Sequence, residues 1–394
     1  MKKILKKILL GVLLLAIAVG IVALAVLSRR SAYVEDVSPE KLRWAYELLA
    51  GSLNTEDFKY TDFLMYSDAA AGRDSAEAYP EDGRAAKDLA AAWSVLPYDG
   101  TLVVLRYEES AEYRISVSEG GIYTLLLDYM SAGDSYLDHT AAVAINGDYQ
   151  YQELKTIDLP LYWADESSEV LKDRYGDQIA PSQLRLTQWR TAELYNNTYS
   201  SVLPLKVKLV SGENVIQITN VSNDGLALGK LQVVPLPSSP INYEDYAAAH
   251  AAAEAASVPL LTINATDYAY KNSAEIIYES TSSPAVNPYN AEYKLLNTLH
   301  WKDPGDEITY EFNVPADGRY LISLHYMSEK EEFTTYETIS IDGEVPFSEM
   351  QAYPFPYTRG SWRNETLSSA DGEPYYFFLT EGTHTITLKS ELEP

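Results

Sequence analysis

The 394-residue sequence contains no cysteine. That excludes a disulfide framework, a thiolate metal centre, a cysteine nucleophile and a lipid-modified N-terminal cysteine. Histidine is scarce too. The five copies, His139, His250, His300, His325 and His384, form no HExxH or close pair. There is no Gly-x-Ser-x-Gly elbow and no P-loop, so neither serine-hydrolase nor nucleotide chemistry is indicated. A glycosidase needs two carboxylates about 5–10 Å apart, and nothing among the 57 acidic residues singles out such a pair. The expectation is a non-enzyme. Basic residues thin out after the first thirty positions, which hold Lys2, Lys3, Lys6, Lys7, Arg29 and Arg30. The remaining 24 face 57 acids, a formal charge of −33 over residues 31–394. Nucleic acid is excluded as a partner, because phosphate binding needs clustered cations, as is electrostatic docking on an anionic membrane.

What is present begins with an apolar run. Ile8–Leu27 is twenty residues without a charge, which at 1.5 Å per residue spans about 30 Å, the thickness of a bilayer core. Four lysines precede it and two arginines follow, predicting a single-pass anchor with the N-terminus inside and residues 31–394 outside. A cleaved signal peptide is the competing reading, with Ala23-Leu24-Ala25 in small-x-small form. The run is longer than the ~7–15 residues of a signal h-region, which favours the anchor. Residues 1–30 are therefore read as cytoplasmic stub and anchor, and 31–57 as a juxtamembrane helix and spacer. There Ser38-Pro39-Glu40 starts a helix and Gly51 stops it.

The most informative feature is an internal repeat. Gly121–Ser131 aligns without gaps to Gly318–Ser328, with six of eleven positions identical. Ile145-Asn-Gly-Asp148 matches Ile341-Asp-Gly-Glu344, and Pro204–Ile218 matches Pro374–Leu388. Asn-Gly and Asp-Gly are favoured hairpin turns. Apolar residues alternate with polar ones around them, the period-two pattern of a sheet with one face on a core. The fold class is mainly β: two tandem antiparallel β-sandwich domains, 58–237 and 259–394, with an N-terminal transmembrane helix and an α-helical spacer. The spacer, 238–258, follows Pro235 and Pro237 and combines Pro240 with an alanine run to Ala256. A fourteen-residue helix from Tyr243 would make a rod of about 21 Å. The copies differ in two respects. The first carries a charged insert, Ala164–Leu186. The second has no counterpart to Leu226–Val234, the closing strand of the first, so it is expected to lack its last strand and to be followed in a longer protein by more chain.

Val314-Pro-Ala-Asp-Gly-Arg-Tyr320, Ile341–Phe347 and Glu381-Gly-Thr-His-Thr-Ile-Thr-Leu388 resemble galactose-binding-like jelly-roll modules, the fold of many carbohydrate-binding modules. The order anchor, module, spacer, module is similar to the N-terminal half of large bacterial extracellular solute-binding proteins of sugar ABC transporters. So is the stretch Asp173–Gln183. The resemblance implies a membrane-anchored extracellular protein that captures carbohydrate or cell-wall glycan beside an ABC permease. It supplies no binding residue.

Sugar recognition uses aromatic faces against C–H surfaces and planar polar groups against hydroxyls. On that ground the ligand candidates are Tyr162, Trp163, Arg174, Gln183, Trp189 and Arg190 in the first copy, and Tyr357, Arg359, Trp362 and Arg363 in the second. The competing reading for Trp189 and Trp362 is packing, since both occupy one equivalent place beside a strand. No cofactor is called for. Carboxylates could ligate structural calcium, but no Asp-x-Asp-x-Asp loop is present. Two other functions fit the same sequence: a cell-envelope stalk that binds no sugar, and the N-terminal part of a larger solute-binding protein or surface enzyme.

Overall fold

The computed structural model describes residues 58–394 except 68, 90–91, 237–239 and 329–332. The anchor run and the juxtamembrane helix lie outside the described residues. Among those described, no helix is long and apolar enough to cross a membrane.

The first copy contributes β1 (Ala76–Ala78), β2 (Arg84–Ala85), β3 (Thr101–Leu105), β4 (Ser110–Val117), β5 (Gly121–Ser131), β6 (His139–Ile145) and β7 (Ile157–Leu159). A hairpin follows, β8 (Tyr162–Asp165) and β9 (Gln183–Leu186). Then come β10 (Arg190–Glu193), β11 (Lys206–Leu209), β12 (Gly212–Asn220) and β13 (Leu226–Pro235). One antiparallel sheet runs β10-β5-β13-β3-β2, with β11 also on β5 and β1 on β13. The other runs β4-β12-β6-β7. Alternation places the core: in β4, Ala111, Tyr113, Ile115 and Val117 are buried and the residues between them exposed. They meet Tyr123, Leu125 and Leu127 of β5 and Leu228, Leu231 and Val233 of β13 across the sandwich.

The second copy contributes β14 (Tyr270–Lys271), β15 (Ile277–Glu279), β16 (Thr298–His300), β17 (Glu307–Val314), β18 (Gly318–Leu321) and β19 (Ser323–Tyr326). They are followed by β20 (Thr335–Ile341), β21 (Tyr353–Phe355), β22 (Arg363–Thr366), β23 (Tyr376–Leu379) and β24 (Gly382–Glu391). Its core gathers Ile308, Ile339, Phe347, Met350, Phe377 and Leu388. The pairings repeat those of the first copy: β17 with β24, β24 with β20, β20 with β21, and β18–β19 with β23 and β22. The hairpin turns repeat too. Asn146 and Gly147 have φ of 54° and 89°, and Asp342 and Gly343 have 52° and 83°, the left-handed pair a type I′ turn requires.

Two features depart from the sequence reading. The expected fourteen-residue rod is a helix of seven residues, Tyr243–Ala249, capped by Asn242, whose Oδ1 accepts from Asp245 N at 2.8 Å. The later alanines leave the helix because sheet bonding competes for their backbone. Ala256 N donates to Arg319 O at 3.2 Å, and Arg319 N to Glu254 O at 2.9 Å. Nor is the helix a spacer. The Tyr243 and Tyr246 hydroxyls accept from Tyr376 N and Phe378 N, each at 2.9 Å, so the helix satisfies an edge of β23 that would otherwise be open.

The second departure concerns the insert. Its hairpin does not belong to either sheet of the first sandwich. It extends the main sheet of the second, whose order is β21-β20-β24-β17-β14-β8-β9. The loop between its strands docks as well: Gln178 N donates to Lys294 O at 2.9 Å and Lys294 N to Asp177 Oδ1 at 2.8 Å. Phe58–Pro394 accordingly forms one compact unit.

Candidate functional site

The ten candidate residues fall in four places. Tyr162, Trp163, Gln183 and Arg190 lie at the junction of the modules. Trp163 is only 4% exposed, and Tyr136 stacks on its ring at 5.7 Å. The Arg190 guanidinium lies over Tyr162 at 3.8 Å and over Tyr270 at 4.8 Å. Gln183 Nε2 donates to Asp165 Oδ1 at 2.6 Å, and the same carboxylate accepts from the hydroxyls of Tyr268 and Tyr278. This cluster joins two halves of one sheet, and its exposed aromatic is Tyr136, at 74%, rather than one of the four candidates.

Trp189 is half-buried. It packs on Tyr98 at 4.3 Å and donates from Nε1 to Leu96 O at 3.3 Å. Arg174 is exposed at the insert tip, over the ring of its neighbour Tyr175. In the second copy Trp362 stacks on His325 at 5.3 Å, and Arg363 pairs with Glu365 at 2.8 Å. Arg359, at φ 57°, and Tyr357 lie on the preceding loop. Arg359 and Arg363 are exposed and Trp362 is half-buried.

The most convergent polar cleft is one the sequence reading did not single out. It has a volume of about 1150 Å³ and lies at one end of the first sandwich. The loop after β5 lines it with Asp134, Ser135, Leu137 and Asp138, the loop after β12 with Ser222, Asn223 and Asp224, and an earlier segment with Trp93 and Leu96. Hydrogen bonds hold the walls. Asp224 Oδ2 accepts from Ser135 N at 2.6 Å and Oδ1 from Gly225 N at 2.8 Å. Gly133 is required here, because a Cβ would overlap the Asp224 carboxylate. From β9, the Arg185 guanidinium donates to Gly133 O at 2.6 Å and to Ser135 O at 2.5 Å, so the insert braces the rim of this cleft as well. Beside it His139 is fully buried, with neither ring nitrogen partnered. Burial lowers its pKa to about 4, which holds the ring neutral.

Chemically, the exposed Asp134 and Asn223 offer an acceptor and an amide, Ser222 a hydroxyl, and Trp93 and Leu137 apolar surface. That set suits a ligand rich in hydroxyl groups. Among the described residues, no group of three His, Cys, Asp or Glu side chains is placed to hold a metal ion. Long-range assembly hid this cleft in the sequence: its two polar walls are more than eighty residues apart, and the only local signal was a cluster of Asp, Ser, Asn and Gly after two strands.

No family model and no curated protein matches the chain. Several solved structures are similar to parts of it. A CBM35 from Cellvibrio japonicus shares 19% identity at a TM-score of 0.22, over 40% of this chain and 92% of its own. A family 35 carbohydrate-binding module from Clostridium thermocellum shares 13% at 0.20, over 42% and 98%. The GH26-CBM35 β-(1,4)-mannanase of Podospora anserina shares 16% at 0.23, over 43% of this chain and 30% of the enzyme. At these scores the likenesses carry no conclusion about the ligand of this chain.

Proposed function

We propose that this chain is a non-catalytic carbohydrate-binding protein that takes glycan into the cleft at the end of its first β-sandwich. The observation that carries this reading is the convergence of Asp134, Asn223 and Ser222 with Trp93 and Leu137 around one open cleft. Carboxylate and amide groups there reach sugar hydroxyls, and the apolar groups cover C–H surface. Arg359, exposed on a loop of the second module, is a subsidiary contact point. The apolar run Ile8–Leu27 would hold the protein at the outer face of the cell membrane, beside a sugar permease.

The test is a glycan array followed by calorimetry on residues 31–394. Binding of at least one polysaccharide is expected, with Asp134→Ala and Asn223→Ala each weakening it about tenfold, the loss of roughly one good hydrogen bond. Both residues are exposed, so stability should not change. Absence of binding to any glycan overturns the proposal, and unchanged affinity in both variants moves the site elsewhere.

A further inference from the structure

Tyr136 and Leu137 stand side by side in the loop between β5 and β6, at 74% and 78% exposure. Hydrogen bonds fix the loop that carries them. Ser135 N donates to Asp224 Oδ2 at 2.6 Å, and Ser135 O accepts from the Arg185 guanidinium at 2.5 Å. Leu137 N donates to Ser135 Oγ at 3.0 Å, and Asp138 Oδ1 accepts from Leu161 N at 2.6 Å.

The Tyr136 ring is seated as firmly as its backbone. It lies 5.7 Å from the ring of Trp163, with 18° between the two planes. Trp163 is itself fixed within a sheet, opposite Arg185 on one side and Lys271 on the other. The stack covers one face of Tyr136 and leaves the other open to solvent. An aromatic face held in this way is pre-organised, so a ligand that stacks on it need not order the side chain first.

Ser135 and Leu137, on either side of Tyr136, line the cleft of the first module, and Tyr136 stands just outside it, on the rim. The cleft, at about 1150 Å³, exceeds the roughly 300–1,000 Å³ of a pocket for one small molecule. Its charged lining consists of Asp134, Asp138 and Asp224, and no Lys or Arg lines it among the described residues. The Arg185 guanidinium, bracing the rim, is engaged by the carbonyls of Gly133 and Ser135.

We propose that the open face of Tyr136 is a second sugar subsite, and that the ligand is an uncharged linear polysaccharide with one pyranose in the cleft and the adjoining one stacked on Tyr136. The inference rests on the reading of the cleft as a glycan site and extends it past the rim. The negative face of the ring attracts the C–H side of a pyranose. The carboxylates accept from sugar hydroxyls but repel the carboxylate of a uronic acid. Two subsites on one rim require consecutive sugars, so a monosaccharide fills one and forgoes the other. Trp163, a ligand candidate from its sequence position, becomes a positioning residue that holds Tyr136 without touching the sugar.

The test titrates the full chain by calorimetry with cellohexaose, xylohexaose and mannohexaose, with the corresponding monosaccharides, and with hexagalacturonate as the anionic chain. At least one neutral hexaose is expected to bind, at least tenfold more tightly than its monosaccharide and than hexagalacturonate. Tyr136→Ala should weaken that hexaose about tenfold, and Tyr136→Phe, which keeps the face, should bind like the parent. Saturation transfer from aromatic protons to the C–H protons of the bound sugar is measured in the parent and in Tyr136→Phe. It reads the stacking without relying on a truncation that uncovers Trp163, and its absence from both overturns the subsite. Asp134→Ala separates the subsite from the cleft: affinity lost there but kept in Tyr136→Ala overturns the subsite and leaves the cleft reading standing. Tighter binding of hexagalacturonate overturns the assignment of an uncharged ligand. Failure of all three neutral hexaoses does the same, and if the wider glycan array is also silent the cleft reading falls with it.

Discussion

Trp163 and Lys271 sit directly opposite one another on adjacent strands of one sheet, although the first belongs to one copy of the repeat and the second to the other. Both are buried, Trp163 at 4% and Lys271 at 2% exposure. Lys271 Nζ donates to Ile276 O, and burial lowers its pKa to about 8. The two modules therefore share a hydrogen-bonded sheet as well as a chain.

Trp163→Ala should destabilise both modules. Truncating a buried tryptophan costs about 3–5 kcal/mol, and here the lost ring packs the hairpin that extends the second module's sheet. A single calorimetric transition is expected for the parent, and two separated transitions for the variant. A single transition lowered only slightly would show that the shared sheet does not couple the modules.

The repeat was legible because alternation is local. Tyr113, Ile115 and Val117 announce a strand and its inward face from sequence alone, and Asn146-Gly147 announces its turn. The destination of the insert was not legible. Tyr162–Asp165 and Gln183–Leu186 form a hairpin whichever sheet they join, and what selects the second module is contact with residues a hundred positions away, such as Tyr268 on Asp165. The cleft was hidden for the same reason. Its residues are loop residues of ordinary type, and only the closing of β5 against β13 brings Asp134 near Asp224.

Acidification should destabilise the first module through His139. Its folded pKa is about 4 against 6.5 for the free side chain, so between these values the unfolded chain binds a proton that the folded chain refuses. The stability contributed by the neutral ring is complete above pH 6.5 and is lost as pH falls toward 4. In His139→Leu that slope should disappear. Urea midpoints from pH 7 to 4, taken as the difference between parent and variant, measure it. Equal slopes would mean that the ring is hydrated in solution.

Glu337 has the opposite sign. Burial, the largest cause, raises its pKa from 4.5 to about 8. The folded state keeps the proton that the unfolded state releases above pH 4.5. The stability from the neutral acid is therefore complete below 4.5 and declines as pH rises to 8. Glu337→Gln should flatten that decline. Comparing parent and variant between pH 6.5 and 8, by thermal melts of the full chain, reads it above the range in which His139 titrates. A variant as pH-sensitive as the parent would show that Glu337 is ionised and solvated in solution.

Trp189 and Trp362 occupy equivalent positions but should respond differently to truncation. Trp189 is stacked at 4.3 Å on Tyr98, whose hydroxyl donates to Asp128 Oδ2 at 2.6 Å. Trp189→Ala is expected to cost about 2–3 kcal/mol, toward the low end for an aromatic truncation because the ring is only half-buried. Trp362 rests on the exposed His325, and Trp362→Ala should cost less than about 1 kcal/mol. Denaturant titrations separate the two. Equal costs would imply that the surface around Trp362 is covered in solution.

The hairpin contributed by the first copy to the second also settles how the molecule can be divided. A cut in the proline-rich stretch near Pro240 would separate the two repeats in sequence but not in space. The downstream fragment would leave β8 and β9 behind, exposing β14 as an edge two residues long, and the upstream fragment would carry a hairpin with nothing to pair against. The repeats are two in sequence, but because the first lends its hairpin to the sheet of the second, the smallest independent piece is expected to be larger than a repeat.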